Sequence, residues 1–112
     1  MRSEDRIRIQ YLIDAAEIAL QFVSGRVRGD LDQDRMLLFA VVRALEVMGE
    51  AAAKVTEPAR AEAPGIPWAS IVSMRNRLIH GYFDIDTEIV WKTVTAELPP
   101  LLPQLKAMLE TS

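Results

Sequence analysis

The chain contains no cysteine, which excludes disulfide bonds and the zinc and thiolate chemistry that cysteine supports. Aromatic residues make up only 6% of the sequence, so alanine, leucine, isoleucine, valine and methionine supply most of the apolar mass. Those residues, set among glutamate, arginine and lysine, favour helices. Only one histidine is present, so each chain offers a single imidazole for proton transfer near neutral pH.

Long apolar runs are also missing, and none approaches the roughly 20 residues that a membrane-spanning helix needs. The first ten residues, MRSEDRIRIQ, are charged and lack the apolar core of a signal peptide. We therefore expect a cytoplasmic protein. With 112 residues, 50% of them hydrophobic and 26% charged, the sequence predicts one globular domain over residues 1–112.

Positive charge is in deficit, because 13 lysines and arginines face 16 aspartates and glutamates and the net charge is −3. A protein that coats a nucleic-acid duplex is normally basic overall. Any contact with nucleic acid must therefore be confined to a small basic site.

Two long helices are predicted in the first half of the chain. The first covers residues 4–24, with Ser3 as its N-cap and apolar residues at helical spacing: Ile7, Tyr11, Ile18 and Phe22, with Leu12, Ala16, Ala19 and Val23 beside them. The second covers residues 32–56, with Asp30 or Asp32 as its cap.

The second helix is apolar on almost every side, over the stretch MLLFAVVRALEVMGEAAAKV. Such a helix must be covered on all sides. One interpretation is that a second copy of the protein covers one side, since most soluble oligomers are symmetric homo-oligomers. The alternative is a central core helix within one chain.

Prolines and glycines divide the second half of the chain into predicted helices and connectors. Pro58, Pro64, Gly65 and Pro67 indicate a connector with a helical turn near residues 59–63. A third helix is predicted from Trp68 to residue 79 or 80, where Gly81 would stop it.

A fourth helix is predicted after Asp86, which would cap it, and prolines at positions 99, 100 and 103 should kink or restart it. PLLP at residues 100–103 also matches a proline-rich ligand motif, but the surrounding leucines keep helical spacing. No segment is predicted as a strand. We expect an all-α, antiparallel bundle of four to five helices.

Candidate chemistry is concentrated in residues 73–82, which hold Arg75, Arg77 and His80 and no acidic residue. Metal-independent RNA cleavage needs a base for the ribose 2′-hydroxyl, an acid for the leaving oxygen and a cation for the phosphate. Imidazole, with a reference pKa of about 6.5, can act as acid or base. The guanidinium fork matches phosphate. Asn76 could donate a further hydrogen bond, and the ring of Tyr82 could stack on a base.

Positions 75 and 80 would diverge by about 140° on an ideal helix. A helix that ends near His80, together with the length of the arginine side chain, would let the two groups meet. The alternative is a structural one, in which the histidine is a helix cap or a solvated side chain and the arginines form a solvated face.

The stretch RNRLIHGY, residues 75–82, matches the R-x4-H-x-Y pattern of HepT-like toxins in the HEPN superfamily. RALEVMGEAA, IPWASIVSMRNRLIHGYFDID and EIVWKTVTAELPPLL also resemble that family in order and spacing. The resemblance covers nearly the whole chain.

The resemblance implies an HEPN-like homodimer that cuts RNA without a metal or cofactor, in a cleft where the motifs of two subunits meet. It implies that Arg75 and His80 are catalytic and that Asn76 is auxiliary. The usual partner is a minimal nucleotidyltransferase antitoxin, which in related systems transfers AMP to the motif tyrosine, here Tyr82.

Glu46 and Glu50 lie four residues apart and share a face of the second helix. On so apolar a helix they need partners. One of them could orient Arg75 or Arg77; the alternative is an ordinary salt bridge with Arg43 or Lys54.

Three functional hypotheses remain open at this point. The first is an endoribonuclease toxin of a toxin–antitoxin pair. The second is a non-catalytic subunit that binds nucleotide or nucleic acid beside a nucleotidyltransferase. The third is a helical dimerisation protein with a degenerate site.

Overall fold

The computed structural model describes residues 1–81 and 84–110, and these residues form eight α-helices and one π-helical turn. The elements are α1 (Ser3–Val23), α2 (Asp30–Gln33), α3 (Arg35–Ala53), α4 (Glu57–Ala61), α5 (Trp68–Val72), α6 (Met74–Leu78), α7 (Thr87–Lys92), the π-helical turn (Thr93–Glu97) and α8 (Leu98–Glu110). Within the described ranges, β-type pairing is limited to one isolated antiparallel bridge between Ile79 and Ile85. The predicted all-α fold class is confirmed.

The core lies between α1 and α3, which pack against each other, and α8 also packs against α1. Its largest fully buried side chains come from helices throughout the described chain: Ile9, Leu12, Leu31, Leu45, Met48, Leu78, Leu98 and Leu105. No described helix is long and apolar enough to cross a membrane.

Helix α1 differs from the sequence prediction at its start and in the face it buries. Arg2 occupies the N-cap position without a side-chain cap, so the predicted cap at Ser3 is wrong. The predicted stripe is exposed (Ile7, Tyr11, Ile18 and Phe22), whereas the apolar residues predicted beside it are buried (Leu12, Ala16, Ala19 and Val23). The helix is apolar on two faces, and α3 and α8 cover only the face that carries Ile9, Leu12 and Ala16.

Helix α3 begins later than predicted, because Asp34 rather than Asp30 or Asp32 caps it. Asp34 has extended backbone (φ −116°, ψ 98°), and its Oδ1 accepts from the Leu37 N–H at 3.1 Å. Asp30 instead accepts from the Val27 N–H at 2.9 Å and closes the preceding turn. The helix ends at Ala53, three residues before the predicted end at residue 56.

The close approach of α5 to α3 depends on Gly49. A Cβ at this position would lie 3.1 Å from the carbonyl oxygen of Ile71, which is tighter than ordinary van der Waals contact. The absence of a side chain therefore lets α5 sit directly on α3. This contact sets the position of α6, which follows immediately along the chain.

The predicted third helix is divided into α5 and α6 at Ser73 and ends at Leu78. Ile79 is extended, and the backbone then pairs with the returning segment: Asp86 donates its N–H to Leu78 O at 2.9 Å. The helix therefore ends through this pairing, three residues before Gly81, and the predicted glycine stop is wrong.

The fourth predicted helix is confirmed in its cap and in its response to proline. Asp86 Oδ1 accepts from the Ile89 N–H at 3.1 Å at the start of α7. Pro99 and Pro100 lack the N–H groups that an α-helical register would donate to residues 95 and 96. The backbone widens into the π-helical turn just before them and restarts as α8, which retains Pro103 and buries Leu101.

The buried carboxylate of Asp5 fixes the junction between α3 and α4 to α1. Asp5 accepts from the backbone N–H of Thr56 at 2.9 Å and from its hydroxyl at 2.7 Å. Burial raises the pKa of Asp5, but the two hydrogen bonds from Thr56, together with the positive charges of Arg2 and the terminal ammonium, hold the pKa below the ordinary value of 3.8.

We expect Asp5→Asn to lower the free energy of unfolding at pH 7 by about 1–3 kcal/mol, because an amide cannot accept both donors of Thr56 as a carboxylate does. The folded pKa is below the unfolded one, so the stabilisation is full above pH 4 or so and is lost as pH falls through the folded value. Urea denaturation across acid pH measures this, with Asp14→Asn on the exposed face of α1 as control. A difference between wild type and Asp5→Asn that stays constant down to the lowest pH would contradict the assignment.

Candidate active site

Arg75 is held at the surface of α6 by an acidic side chain of α3. Its Nε donates to Oε2 of Glu46 at 3.0 Å. Glu46 is 22% exposed whereas Arg75 is 65% exposed, so the carboxylate is the more fixed member of the pair. The two terminal nitrogens of the guanidinium have no acceptor among the described residues and can take a bidentate anion such as phosphate.

A cleft of about 450 Å³ opens beside this pair. Its walls come from α3, from α6 and from the segment that links α6 to α7. The lining residues are Phe39, Val42, Glu46, Arg75, Ile79, Gly81 and Ile85. Arg75 and Glu46 are the charged groups of a wall that is otherwise mostly apolar.

His80 lies outside α6 and is not among the described residues that line this cleft. Its backbone N–H donates to Asp84 O at 2.8 Å, which places it in the short paired segment after the helix. Its neighbours Ile79 and Gly81 line the cleft, while the side chain of His80 is exposed to solvent. Because the helix ends at Leu78, the 140° divergence expected on an ideal helix does not apply.

Arg77 lies away from the cleft, although it is only two residues from Arg75. Positions two apart on a helix point in nearly opposite directions. Arg77 Nη2 lies 3.5 Å from Oε1 of Glu97 in the π-helical turn, and its Nε and Nη2 are buried without a hydrogen-bond partner in the described part of the chain. This residue joins α6 to the π-helical turn and is not placed to bind a substrate in the cleft.

The remaining predicted site residues do not all lie at the cleft. Asn76 is exposed, and its backbone N–H donates to Ser73 O at 2.9 Å. Tyr82 lies outside the described residues. Glu50 pairs with Arg43 at 3.2 Å and not with a motif residue, so of the two acids only Glu46 reaches the cleft.

The positive charge expected for residues 73–82 is largely compensated by acidic side chains from other parts of the chain. Residues 73–82 contain no acid in sequence, but the fold brings Glu46 to Arg75 and Glu97 to Arg77. The apolar wall of the cleft, with Phe39 on α3, was also missed by the sequence analysis. In the described part of the chain, no group of three acidic or histidine side chains is placed to hold a metal ion.

The chain matches a known protein family over most of its length. The family model described as ribonuclease HepT-like matches residues 12–108. That segment contains α3, α6 and the linking segment, and therefore every lining residue of the cleft. The chain belongs to the ribonuclease HepT-like family, which confirms the resemblance and, at the level of the family, the ribonuclease class.

Individual relatives agree over most of the chain. The chain is 33% identical over 102 residues to the provisionally named RNase TTE0752 of Caldanaerobacter subterraneus subsp. tengcongensis, covering 91% of each. It is 34% identical over 101 residues to the "Probable ribonuclease HepT" of Thermococcus cleftensis, covering 90% of this chain and 92% of the relative. It is 32% identical over 95 residues to the provisionally named RNase MJ1380 of Methanocaldococcus jannaschii, covering 85% and 87%. No solved structure matches the chain significantly.

Proposed function

We propose that this protein is a metal-independent endoribonuclease toxin that acts as a homodimer, with Arg75 and His80 of both subunits in a shared cleft. The observation that carries the proposal is the position of the guanidinium. Arg75 lines an open cleft and is held by Glu46 through Nε alone, five residues before the only histidine of the chain.

The chemistry follows from the two side chains. A base removes the proton of the ribose 2′-hydroxyl, the oxygen attacks phosphorus, and the bond from phosphorus to the 5′-oxygen breaks. An acid returns a proton to that leaving oxygen. Arg75 would bind the phosphate oxygens and stabilise the charge that develops on them. Each subunit supplies one imidazole, so a dimer supplies both the base and the acid.

Apolar side chains beside the cleft support the homodimer. Nine of the 19 residues of α3 are buried within the chain, but Met36 is 83% exposed and Phe39 is 43% exposed. A symmetric partner packed beside Phe39 on this part of α3 would cover Met36 and bring a second cleft alongside the first. Since His80 is exposed and does not line the cleft of its own chain, this arrangement would let its side chain reach the cleft of the partner.

We also propose that a nucleotidyltransferase antitoxin neutralises the toxin by transferring AMP to Tyr82. Tyr82 is two residues from His80, so an added nucleotide phosphate would lie where the RNA phosphate binds and would compete with it for Arg75. The modified protein would then remain inactive in the cytoplasm.

The catalytic assignment is tested with purified protein, total cellular RNA and transfer RNA in EDTA. We expect Arg75→Ala and His80→Ala each to lower the cleavage rate by about a hundredfold or more, because each removes a group that acts on the reacting atoms. Arg43→Ala, an exposed arginine of α3, is the control. Light scattering must show the same dimer for all variants. Unchanged cleavage by both variants, or no cleavage by wild type, would favour a non-catalytic binding subunit.

The role of Glu46 in positioning Arg75 can be tested with Glu50 as a matched control. The ion pair of Arg75 is too exposed to contribute much stability, so Glu46→Gln should melt within a few degrees of wild type. It should nevertheless slow cleavage by about tenfold or more, because a displaced guanidinium no longer meets the phosphate. Glu50→Gln, which breaks only the contact with Arg43, should cut at the wild-type rate. Equal rates for the two variants would remove the positioning role of Glu46.

The role of Tyr82 is tested by incubating the protein with its antitoxin and ATP. We expect wild type to gain the mass of one adenylate per chain and to lose ribonuclease activity. Tyr82→Phe should gain no mass and remain active, because the ring lacks the acceptor hydroxyl. Mass spectrometry and the cleavage assay report the two effects separately. An antitoxin that still labels and silences Tyr82→Phe would show that the modification lies elsewhere.

A further inference from the structure

A second cavity of about 380 Å³ adjoins the active-site cleft. Phe39 and Ile85 line both spaces, so they form the boundary between them. Leu31 and Leu38 supply apolar walls, while Asp32, Arg35 and Thr87 supply polar groups. None of these polar residues belongs to the R-x4-H motif.

The boundary residue Phe39 can serve as a stacking surface. Its ring is 43% exposed, although it lies on a helix whose other large apolar side chains are mostly buried. Arg35 is one helical turn earlier, so it shares the face of Phe39. No described residue pairs with the side chain of Arg35, which is exposed. An aromatic ring beside a free guanidinium is the combination that holds single-stranded nucleic acid.

The polar edge of the cavity is fixed by a network that joins α2, the turn before it and α7. Asp32 Oδ1 accepts from the Thr87 hydroxyl at 2.9 Å, and Asp32 Oδ2 lies 3.2 Å from Arg28 Nη2. Arg28 also contacts Glu88 at 3.2 Å, which ties the network to α7. The Asp32 side chain remains 41% exposed, so its oxygens can accept further hydrogen bonds from a bound molecule.

We infer that this cavity binds the nucleobase next to the scissile phosphate, and that it prefers a base with an exocyclic amino group. The base would stack on Phe39, donate its amino and ring N–H groups to Asp32 and accept from Arg35. Guanine fits best, because it has N–H donors on one edge and the O6 and N7 acceptors that arginine contacts. Uracil lacks an amino group and offers Asp32 only its N3–H, one donor where guanine offers two. The inference rests on the proposed function in taking RNA as the substrate.

Binding to RNA tests the stacking role. In the His80→Ala background, fluorescence anisotropy with a short fluorescein-labelled single-stranded RNA measures affinity without cleavage. We expect Phe39→Leu to raise Kd by about five- to hundredfold, the range for losing one aromatic–base stack. Tyr11→Leu, which removes an exposed ring from α1, is the matched control and should not change Kd. Light scattering confirms that both variants keep the oligomeric state of wild type.

Base preference tests the polar edge. Guanosine 5′-monophosphate and uridine 5′-monophosphate share the same phosphate, so calorimetric titration with each isolates the base. Wild type should bind the guanine nucleotide more tightly, and Asp32→Asn should bring the two affinities together. Arg35→Gln provides a second variant outside the network of Arg28 and Thr87. It should weaken the guanine nucleotide more than the uracil nucleotide.

The outcomes separate this inference from the proposed function. If wild type cuts RNA, but Phe39→Leu keeps the wild-type Kd and the two nucleotides bind equally, the base pocket is wrong and the ribonuclease stands. If wild type leaves RNA intact but binds the guanine nucleotide through Phe39 and Asp32, the pocket stands and the catalytic proposal fails. If wild type neither cuts RNA nor distinguishes the nucleotides, both are overturned.

Discussion

Helix α3 contacts α1, α2, α5, α6 and α7, and the arrangement of the chain depends on how its faces are shared among them. The α1 side supplies the core. The side that carries Gly49 lets α5 approach the backbone closely, which positions α6. The adjoining side carries Glu46, which holds Arg75 of α6 by its Nε. The same helix therefore supports the fold and sets the direction of the guanidinium on which the proposed chemistry depends.

The end of α6 determines what the motif can do. A continuous helix to position 80 would hold the arginine and the histidine on different faces. Instead, the backbone leaves the helix after Leu78 and pairs with the segment that returns toward Asp86. This pairing puts His80 in the segment after the helix, between two residues that line the cleft, and the capping of α7 by Asp86 anchors the far end of the segment. The backbone therefore carries Arg75 on α6 and His80 on the segment that follows the helix.

The proposed dimer and the proposed base pocket use neighbouring parts of one surface. Met36 and Phe39 are exposed near the N-terminal end of α3, and Phe39 also separates the two cavities. Two clefts brought together in this region would form one longer groove with a stacking surface in each half. A groove of this kind suits a short single-stranded segment, which agrees with the acidic net charge of −3.

The sequence by itself determined the all-α class, the order of the long helices, the cap at Asp86 and the family, because periodicity, capping residues and an uninterrupted motif are local properties. It indicated that Glu46 or Glu50 would meet an arginine but could not choose between them. Only the tertiary structure decided that Glu46 faces Arg75, that Arg77 turns toward Glu97 and that the apolar stripe of α1 stays exposed. These outcomes depend on contacts between residues far apart in the chain, which the spacing of neighbouring residues does not encode.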